Sequence, residues 1–531
     1  MTRAADWLGA QNSWVRCLIA FAAGCAVTAA LPPIYALPLL FIAFPVFALL
    51  IDTCTHMRRV IGLGWLFGAG HMLTGLYWVG NALEIAGAPP VLAISLPLAM
   101  AFYPAVAASL YWVTSRQLAR LNWAMSDGFV RAALVALCWL IGEWLRGHLF
   151  TGFPWNLIGY SWAFSDTMSQ AAALMGAYGL SFLVAFIACL PLAITGRSWR
   201  SAGVWVPIVA GLVLVCGQYA YGLQRLADGA PTATDVMVRI VQANISQEDK
   251  WRPELRAKNF NQHLEMSEQE GSDKVDLLIW PEVAVIYFLA EDPIRTTMMG
   301  RRVKPEGMVL TGSLRRAAGP DRTIDYFNSF MAIDSGGEVR DHYDKSHLVP
   351  FGEYVPLKFL FQALGIEKLV EGAGDYSAGS GPRIVSLAGL PSVTPLICYE
   401  VIFPGQVLPK GERPGLMLNV TNDAWYGITT GPYQHLMISR FRAIEEGLPM
   451  LRAASTGISA IIDAKGRLLQ SLDLGTQGII DGQLPARLEQ GTLFGKFGNT
   501  IVIALVLVVF MLAGMMDLAK RLRMRKDQSA A

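Results

Sequence analysis

Apolar residues gather into blocks over the first 225 positions, at about 16–32, 34–52, 60–82, 89–113, 129–150, 170–195 and 203–222. A long polar stretch follows, and one more apolar run at about 499–516 closes the chain. A helix needs about 20 residues to cross a hydrocarbon core, so the pattern predicts about eight spans. The organisation expected is a transmembrane domain over 1–225, a polar domain over 226–497, and a final span with a basic tail over 498–531. The first block follows Arg3 and Arg16 and holds Ala22-Ala23-Gly24-Cys25. It reads as a span rather than a cleaved leader, because six further apolar blocks come directly behind it.

Within the polar stretch the period shortens to that of strands. Val236 to Ala243 alternates, while Val275 to Trp280, Met308 to Gly312, Val393 to Cys398 and Leu416 to Val420 read as buried strands. Gly457 to Asp463 and Arg467 to Ser471 form a predicted hairpin about Ala464-Lys465-Gly466. Helical patterns fall between the strands, at about 253–270 and 431–446. Strands interleaved with helices imply a layered α/β domain.

Charge then orients the chain. Of 531 residues 53% are hydrophobic and only 16% charged, below the usual quarter for a soluble protein. Arg58 and Arg59, Arg116 and Arg120, Arg197 and Arg200, and the tail from Lys520 to Lys526 fall in alternate loops. By the positive-inside rule those loops are cytoplasmic, and the polar domain is extracytoplasmic, which in a bacterium is the periplasmic side of the inner membrane. Net charge is only +2 and the basic residues are mostly these anchors, so no nucleic-acid surface is implied. Trp155 and Trp162 are expected as interfacial anchors, and Glu143 with Arg146 as a structural pair near a span end.

Six of the seven cysteines lie in or beside the apolar blocks, and only Cys398 lies in the polar domain. It has no disulfide partner there, and an idle thiol in an oxidising compartment is unusual. Cys398 stands at a predicted strand end, as does Glu282 in Trp280-Pro281-Glu282, while Lys345 sits in the turn-rich stretch Tyr343 to Glu353. A thiol becomes a strong nucleophile when a base takes its proton, and a buried carboxylate can be that base. A nearby ammonium favours thiolate and stabilises an oxyanion. Singly, Glu282, Lys345 and Glu353 read equally well as loop residues, and Cys398 as a small buried hydrophobe.

Taken together, these segments resemble the nitrilase, or carbon–nitrogen hydrolase, superfamily over about 235–480, which implies an α/β/β/α sandwich. With the flanking spans the whole chain resembles the apolipoprotein N-acyltransferase family, on Glu143 to Gly147, Thr151 to Asn156 and Pro350 to Pro356. The resemblance implies Glu282 as general base, Lys345 as oxyanion stabiliser and Cys398 as nucleophile. It also implies supporting roles for Glu353, Tyr399, Glu400, Trp251 and Trp425. The reaction implied is ping-pong acyl transfer from a phospholipid such as phosphatidylethanolamine, through a thioester, to the amine of a diacylglyceryl apolipoprotein. Two other readings fit the residues less well: a membrane-tethered amidase, and a transporter or scaffold carrying an inactive nitrilase-like domain. A complete triad argues against the second, and eight spans where one would anchor argue against the first.

No phosphate-binding glycine loop is present, and His342 and His347 lack zinc-ligand spacing, so neither cofactor nor metal is expected. Nothing in the sequence requires more than a monomer. The apolar stretch Leu357 to Ile366 is expected to form a lid or arm dipping into the membrane interface.

Overall fold

The computed structural model describes residues 3–87, 89–120, 128–193, 202–227, 229, 232–319, 323–350, 352–354, 376–511 and 514–515. The stretch expected as a lid and the basic tail lie outside the described residues. The chain forms two compact units, Met1–Tyr77 with Ile94–Arg225 and Phe497–Ala531, and Trp78–Ala93 with Leu226–Lys496.

The first unit is helical. Among the described residues, Val91–Arg120, Gly128–His148, Ala172–Ala193 and Val204–Ala227 are long and apolar enough to cross a bilayer, and the bent pair Met57–Gly75 and Val79–Ile85 makes a fifth if counted as one span. Ser13–Ala29, Leu37–Asp52 and Thr500–Met511 are shorter apolar helices. By length, then, four or five of the eight expected blocks qualify. Composition alone overestimates helix length, because apolar turn residues extend a block past the last helical hydrogen bond. Pro32, the last residue of the first block, lies beyond the helix end at Ala29, where a missing N–H cannot continue the ladder.

Helices Ser13–Ala29 and Met57–Gly75 meet backbone to backbone. A Cβ on Gly24 would fall 1.9 Å from the Phe67 carbonyl oxygen, and one on Gly70 would fall 2.0 Å from that of Phe21. Small residues permit this approach where lipid supplies no hydrophobic drive. Beside the seam, Thr28 Oγ1 donates to the His71 carbonyl at 2.8 Å and lies 2.9 Å from His71 Nδ1. Two expectations change here. Trp155 and Trp162 are buried inside the unit rather than set at its surface. Glu143 and Arg146 engage separate partners: Glu143 Oε1 accepts from Trp139 Nε1 and the Ile158 N–H, while Arg146 donates to the Phe153 and Trp155 carbonyls. The apolar context hid a loop whose backbone needs these partners.

The second unit is built on two six-stranded sheets. One has the order β12-β1-β2-β3-β4-β5 and the other β11-β10-β9-β8-β7-β6. The strands are β1 Ala233–Gln242, β2 Leu277–Ile279, β3 Met308–Ala318, β4 Ile324–Asp334, β5 Val339–Asp344 and β6 Val385–Leu387. They continue with β7 Leu390–Ile397, β8 Leu416–Thr421, β9 Met450–Ala454, β10 Ala460–Ile462, β11 Leu468–Ser471 and β12 Gly478–Pro485. Strands β1, β2 and β3 run parallel, as do β7, β8 and β9. One core joins the inner faces, with Val238, Ile240, Ile279 and Leu310 from the first sheet against Ile397, Leu418 and Ala453 from the second. On the other face of the first sheet, Phe260 and Leu264 of helix Arg256–Ser267 pack on Val241, Leu278 and Val309. Helix Gly431–Glu446 packs against β9 of the second sheet. The layering is helix, sheet, sheet, helix, as expected.

The seam in the first unit generates a test. Gly70→Ala must displace the Phe21 backbone and is expected to cost about 1–3 kcal/mol as an overpacking change. Gly62→Ala, with nothing within 4 Å of the new methyl, is expected to cost nothing. Thermal unfolding of the detergent-solubilised protein distinguishes them, and equal midpoints would refute the close seam.

Candidate active site

Several strands of the second unit end at one place, and each delivers a reactive or supporting side chain there. After β2, Pro281 cannot donate to a ladder and the chain turns at Glu282. Val283 takes φ +39°, a conformation costly for a β-branched residue. The turn is wedged against β3, where a Cβ on Gly312 would lie 2.6 Å from Glu282 Cα and 2.5 Å from the Val283 nitrogen. Only glycine leaves room. Lys345 follows the last residue of β5, with its N–H donated to the Asn328 carbonyl on β4 at 2.9 Å. Cys398 follows β7 at the head of the 3-10 turn Cys398–Ile402, with φ +50°. Non-glycine residues held in the left-handed region concentrate at functional sites.

The three side chains are buried together. Lys345 Nζ lies 3.0 Å from Glu353 Oε1 and 3.7 Å from Glu282 Oε1. Asn328 Nδ2 bridges the two carboxylates, donating to Glu282 Oε1 at 2.7 Å and Glu353 Oε1 at 2.9 Å. The Asn422 N–H, just past β8, donates to Glu282 Oε2 at 2.8 Å, and the Val349 N–H donates to Glu353 Oε2 at 2.8 Å. Burial alone would push the Lys345 ammonium down, but Glu353, Glu282 and Cys398 together hold it well above its ordinary value. Lys345 is therefore a permanent cation. Burial, reinforced by Glu282, pushes the Cys398 thiol up to about 12, against the pull of Lys345. The resting sulfur is thus protonated at neutral pH, and its proton must leave as it attacks.

Glu400 ties two of these strand ends together. Its Oε1 accepts from the Tyr343 hydroxyl at 2.6 Å and from the Ser346 N–H and hydroxyl at 2.8 Å each, and its Oε2 accepts from the Ile397 N–H at 2.8 Å. Tyr399 is buried beside His347 and Phe403, which stack on each other. Trp251 packs with Val283, Ile286 and Leu314 behind the Glu282 turn. Trp425 is half-buried in the 3-10 turn Asp423–Tyr426, and it is the next residue, Tyr426, whose hydroxyl interacts with the Cys398 thiol.

Sequence reading missed several further groups. Asn328 lies on β4, a strand whose mixed polarity hid it. Tyr426 is fixed from a distance, its ring 4.5 Å from that of Trp78 and its carbonyl accepting from Asn81 Nδ2 at 3.0 Å. Both partners lie in the apolar block 60–82, which hydropathy assigned to a span. Behind the nucleophile, Asp423 takes His435 Nδ1 at 2.9 Å and Arg452 Nη2 at 2.6 Å. Burial would raise that carboxyl, yet Arg452 and His435 hold it at about 2. Long-range pairs of this kind leave no mark on local sequence.

Residues 237–492, which carry the buried thiol, carboxylate and ammonium, match the carbon–nitrogen hydrolase family model. Residues 23–190 match the apolipoprotein N-acyltransferase N-terminal domain. An apolipoprotein N-acyltransferase of Agrobacterium fabrum is 38% identical over 91% of this chain and 92% of its own length. One of Rhodopseudomonas palustris is 36% identical over 96% and 97%. The chain belongs to the apolipoprotein N-acyltransferase family.

The wedge at Gly312 supplies a test of this geometry. Gly312→Ala forces the Glu282 turn away, and a displacement near 1 Å at a reacting group costs up to about 100-fold. Alkylation of Cys398 by iodoacetamide, followed by peptide mass spectrometry, is expected to slow roughly 10- to 100-fold. A wild-type rate would show that the turn tolerates the methyl.

Proposed function

We propose that this protein transfers a fatty acyl group from a phospholipid to the α-amine of the N-terminal diacylglyceryl-cysteine of an apolipoprotein, by way of a thioester on Cys398. The observation that carries the reading is the convergence of the Cys398 thiol, the Glu282 carboxylate and the Lys345 ammonium in one buried cluster, in a chain of this family.

Each step balances. Glu282 takes the Cys398 proton as the sulfur attacks the ester carbonyl, and the negative charge that develops on the carbonyl oxygen falls beside the Lys345 ammonium. The carbon–oxygen bond then breaks, and the lysophospholipid alkoxide leaves with the proton held by Glu282. The acceptor amine, in its neutral form, next attacks the thioester, giving a proton to Glu282. The carbon–sulfur bond breaks, and the proton returns to sulfur. Dividing one hard acyl transfer into two easier ones is what the covalent nucleophile contributes. Glu353 holds the ammonium in place, Glu400 fixes the loop that carries it, and Tyr399 lines the nucleophile's turn. Trp251 backs the Glu282 turn, and Trp425 lies beside Tyr426, which interacts with the thiol.

Placement of the second unit on the periplasmic face of the inner membrane, eight spans, phosphatidylethanolamine as donor and a monomeric enzyme belong to the same proposal. The distribution of arginines between the apolar blocks supports the placement. Both substrates are lipid-anchored, so a site held at the membrane surface suits them.

Intact-protein mass spectrometry after incubation with phosphatidylethanolamine tests the proposal. The wild type is expected to gain one acyl chain and to lose it on addition of a diacylated lipopeptide, while Cys398→Ala gains nothing. An adduct that persists in Cys398→Ala, or none in the wild type, would overturn the covalent route.

A further inference from the structure

The one-turn helix Gln247–Trp251 points three residues at the site. Trp251 packs behind the Glu282 turn, and the other two reach its polar groups. Lys250 is buried and its Nζ donates to the Glu282 carbonyl at 2.9 Å. Buried Gln247 accepts from Asn422 Nδ2 at 2.6 Å, and it is the Asn422 N–H that holds Glu282 Oε2. Glu282 is thereby gripped at its backbone by Lys250 and at its carboxylate by way of Gln247 and Asn422. This happens where the adjoining Val283 is strained and would otherwise relax.

Lys250 also brings a charge. Two carboxylates, Glu282 and Glu353, stand with one ammonium, Lys345, which contacts both, and Glu282 and Lys345 act on the thiol. Asp423 acts on the thiol as well, with its own charge countered by Arg452. Glu400 accepts from the Lys345 loop, and His263 of helix Arg256–Ser267 interacts electrostatically with Lys250. Lys250 interacts electrostatically with both Glu282 and Cys398. A second cation in that position offsets the second carboxylate and lowers the cost of a thiolate.

We propose that the helix Gln247–Trp251 is a positioning element for the general base, and that Lys250 supplies both the hydrogen bond fixing the Glu282 turn and the second positive charge the site uses to form the thiolate. This rests on Glu282 acting on Cys398, though not on any lipid substrate.

The charge leaves a pH signature that a merely structural role would not. Burial pushes the Lys250 ammonium down to about 8, against the pull of Glu282 and Cys398. Its help is therefore present below that pH and fades above it. The test follows Cys398 alkylation by iodoacetamide in the full-length, detergent-solubilised protein from pH 7 to 10, read by peptide mass spectrometry. Lys250→Met is expected to react about tenfold slower than wild type at pH 7, the change one pK unit of thiol shift produces. The gap should narrow to about twofold by pH 10 as wild-type Lys250 loses its proton. Lys250→Arg, which keeps the charge, is expected within about twofold of wild type at pH 7 and above it at pH 10.

An equal rate for Lys250→Met, or a deficit that stays constant across the range, would overturn the charge role. So would an arginine variant as slow as the methionine one. Should Lys250→Met fail to accumulate, Lys250→Gln retains an amide donor without the charge and is held to the same expectations. Because no lipid enters the assay, failure here is distinct from failure of the acyl-transfer reading, which the mass adduct on phosphatidylethanolamine reports.

Discussion

The Glu400 carboxylate accepts hydrogen bonds from Tyr343 and Ser346, at the end of β5 in one sheet, and from Ile397, at the end of β7 in the other. The registry of Lys345 against Cys398 depends on this cross-sheet joint. The two sheets otherwise meet through aliphatic side chains, which resist separation but hold sideways position weakly. Hydrogen bonds to a buried charged group contribute about 1.5–3 kcal/mol each and are directional. They convert an apolar interface into a fixed distance between an ammonium and a thiol. The left-handed turn at Cys398 is stable only because the groups on either side of it are held in this way.

Charge economy shapes the rest of the site. Burying one carboxylate is costly, and this pocket buries Glu282 and Glu400 and half-buries Glu353. Each is met by donors: Asn328 and Asn422 for Glu282, Lys345 and Val349 for Glu353, and the β5 loop for Glu400. Satisfied networks of this kind rigidify a core, and partly satisfied ones destabilise it. The same low dielectric that makes them costly keeps the thiol protonated until a substrate is in place, which guards a lone cysteine against idle oxidation.

The helical unit follows a different logic. One close seam rests on Gly24 and Gly70, and two of its buried polar groups serve a loop. Glu143 and Arg146 cap the backbone around Phe153, Trp155 and Ile158. An irregular loop among apolar helices must find its hydrogen bonds inside the protein, and two ionisable side chains from one helix supply them.

The sequence by itself determined the class of each half and singled out Glu282, Lys345 and Cys398 as reactive residues at strand ends and turns, while the family resemblance joined them with Glu353 into one set. These are local properties: period, strand ends, a cysteine without a partner, and a proline before a carboxylate. The hairpin about Ala464-Lys465-Gly466 and helix Gly431–Glu446 were legible for the same reason. Only the tertiary structure decided what surrounds the set. Asn328, Gln247, Lys250, Tyr426, Asp423 and His435 reach the site across strands and loops far apart in the chain. Strands β4, β5, β9 and β12 carry too much polarity, or too little length, to stand out as strands. Hydropathy marks apolar blocks longer than their helices because it measures composition, while a helix ends where its hydrogen bonds end. Pairing at a distance is a property of packing, and packing is settled by the whole chain at once.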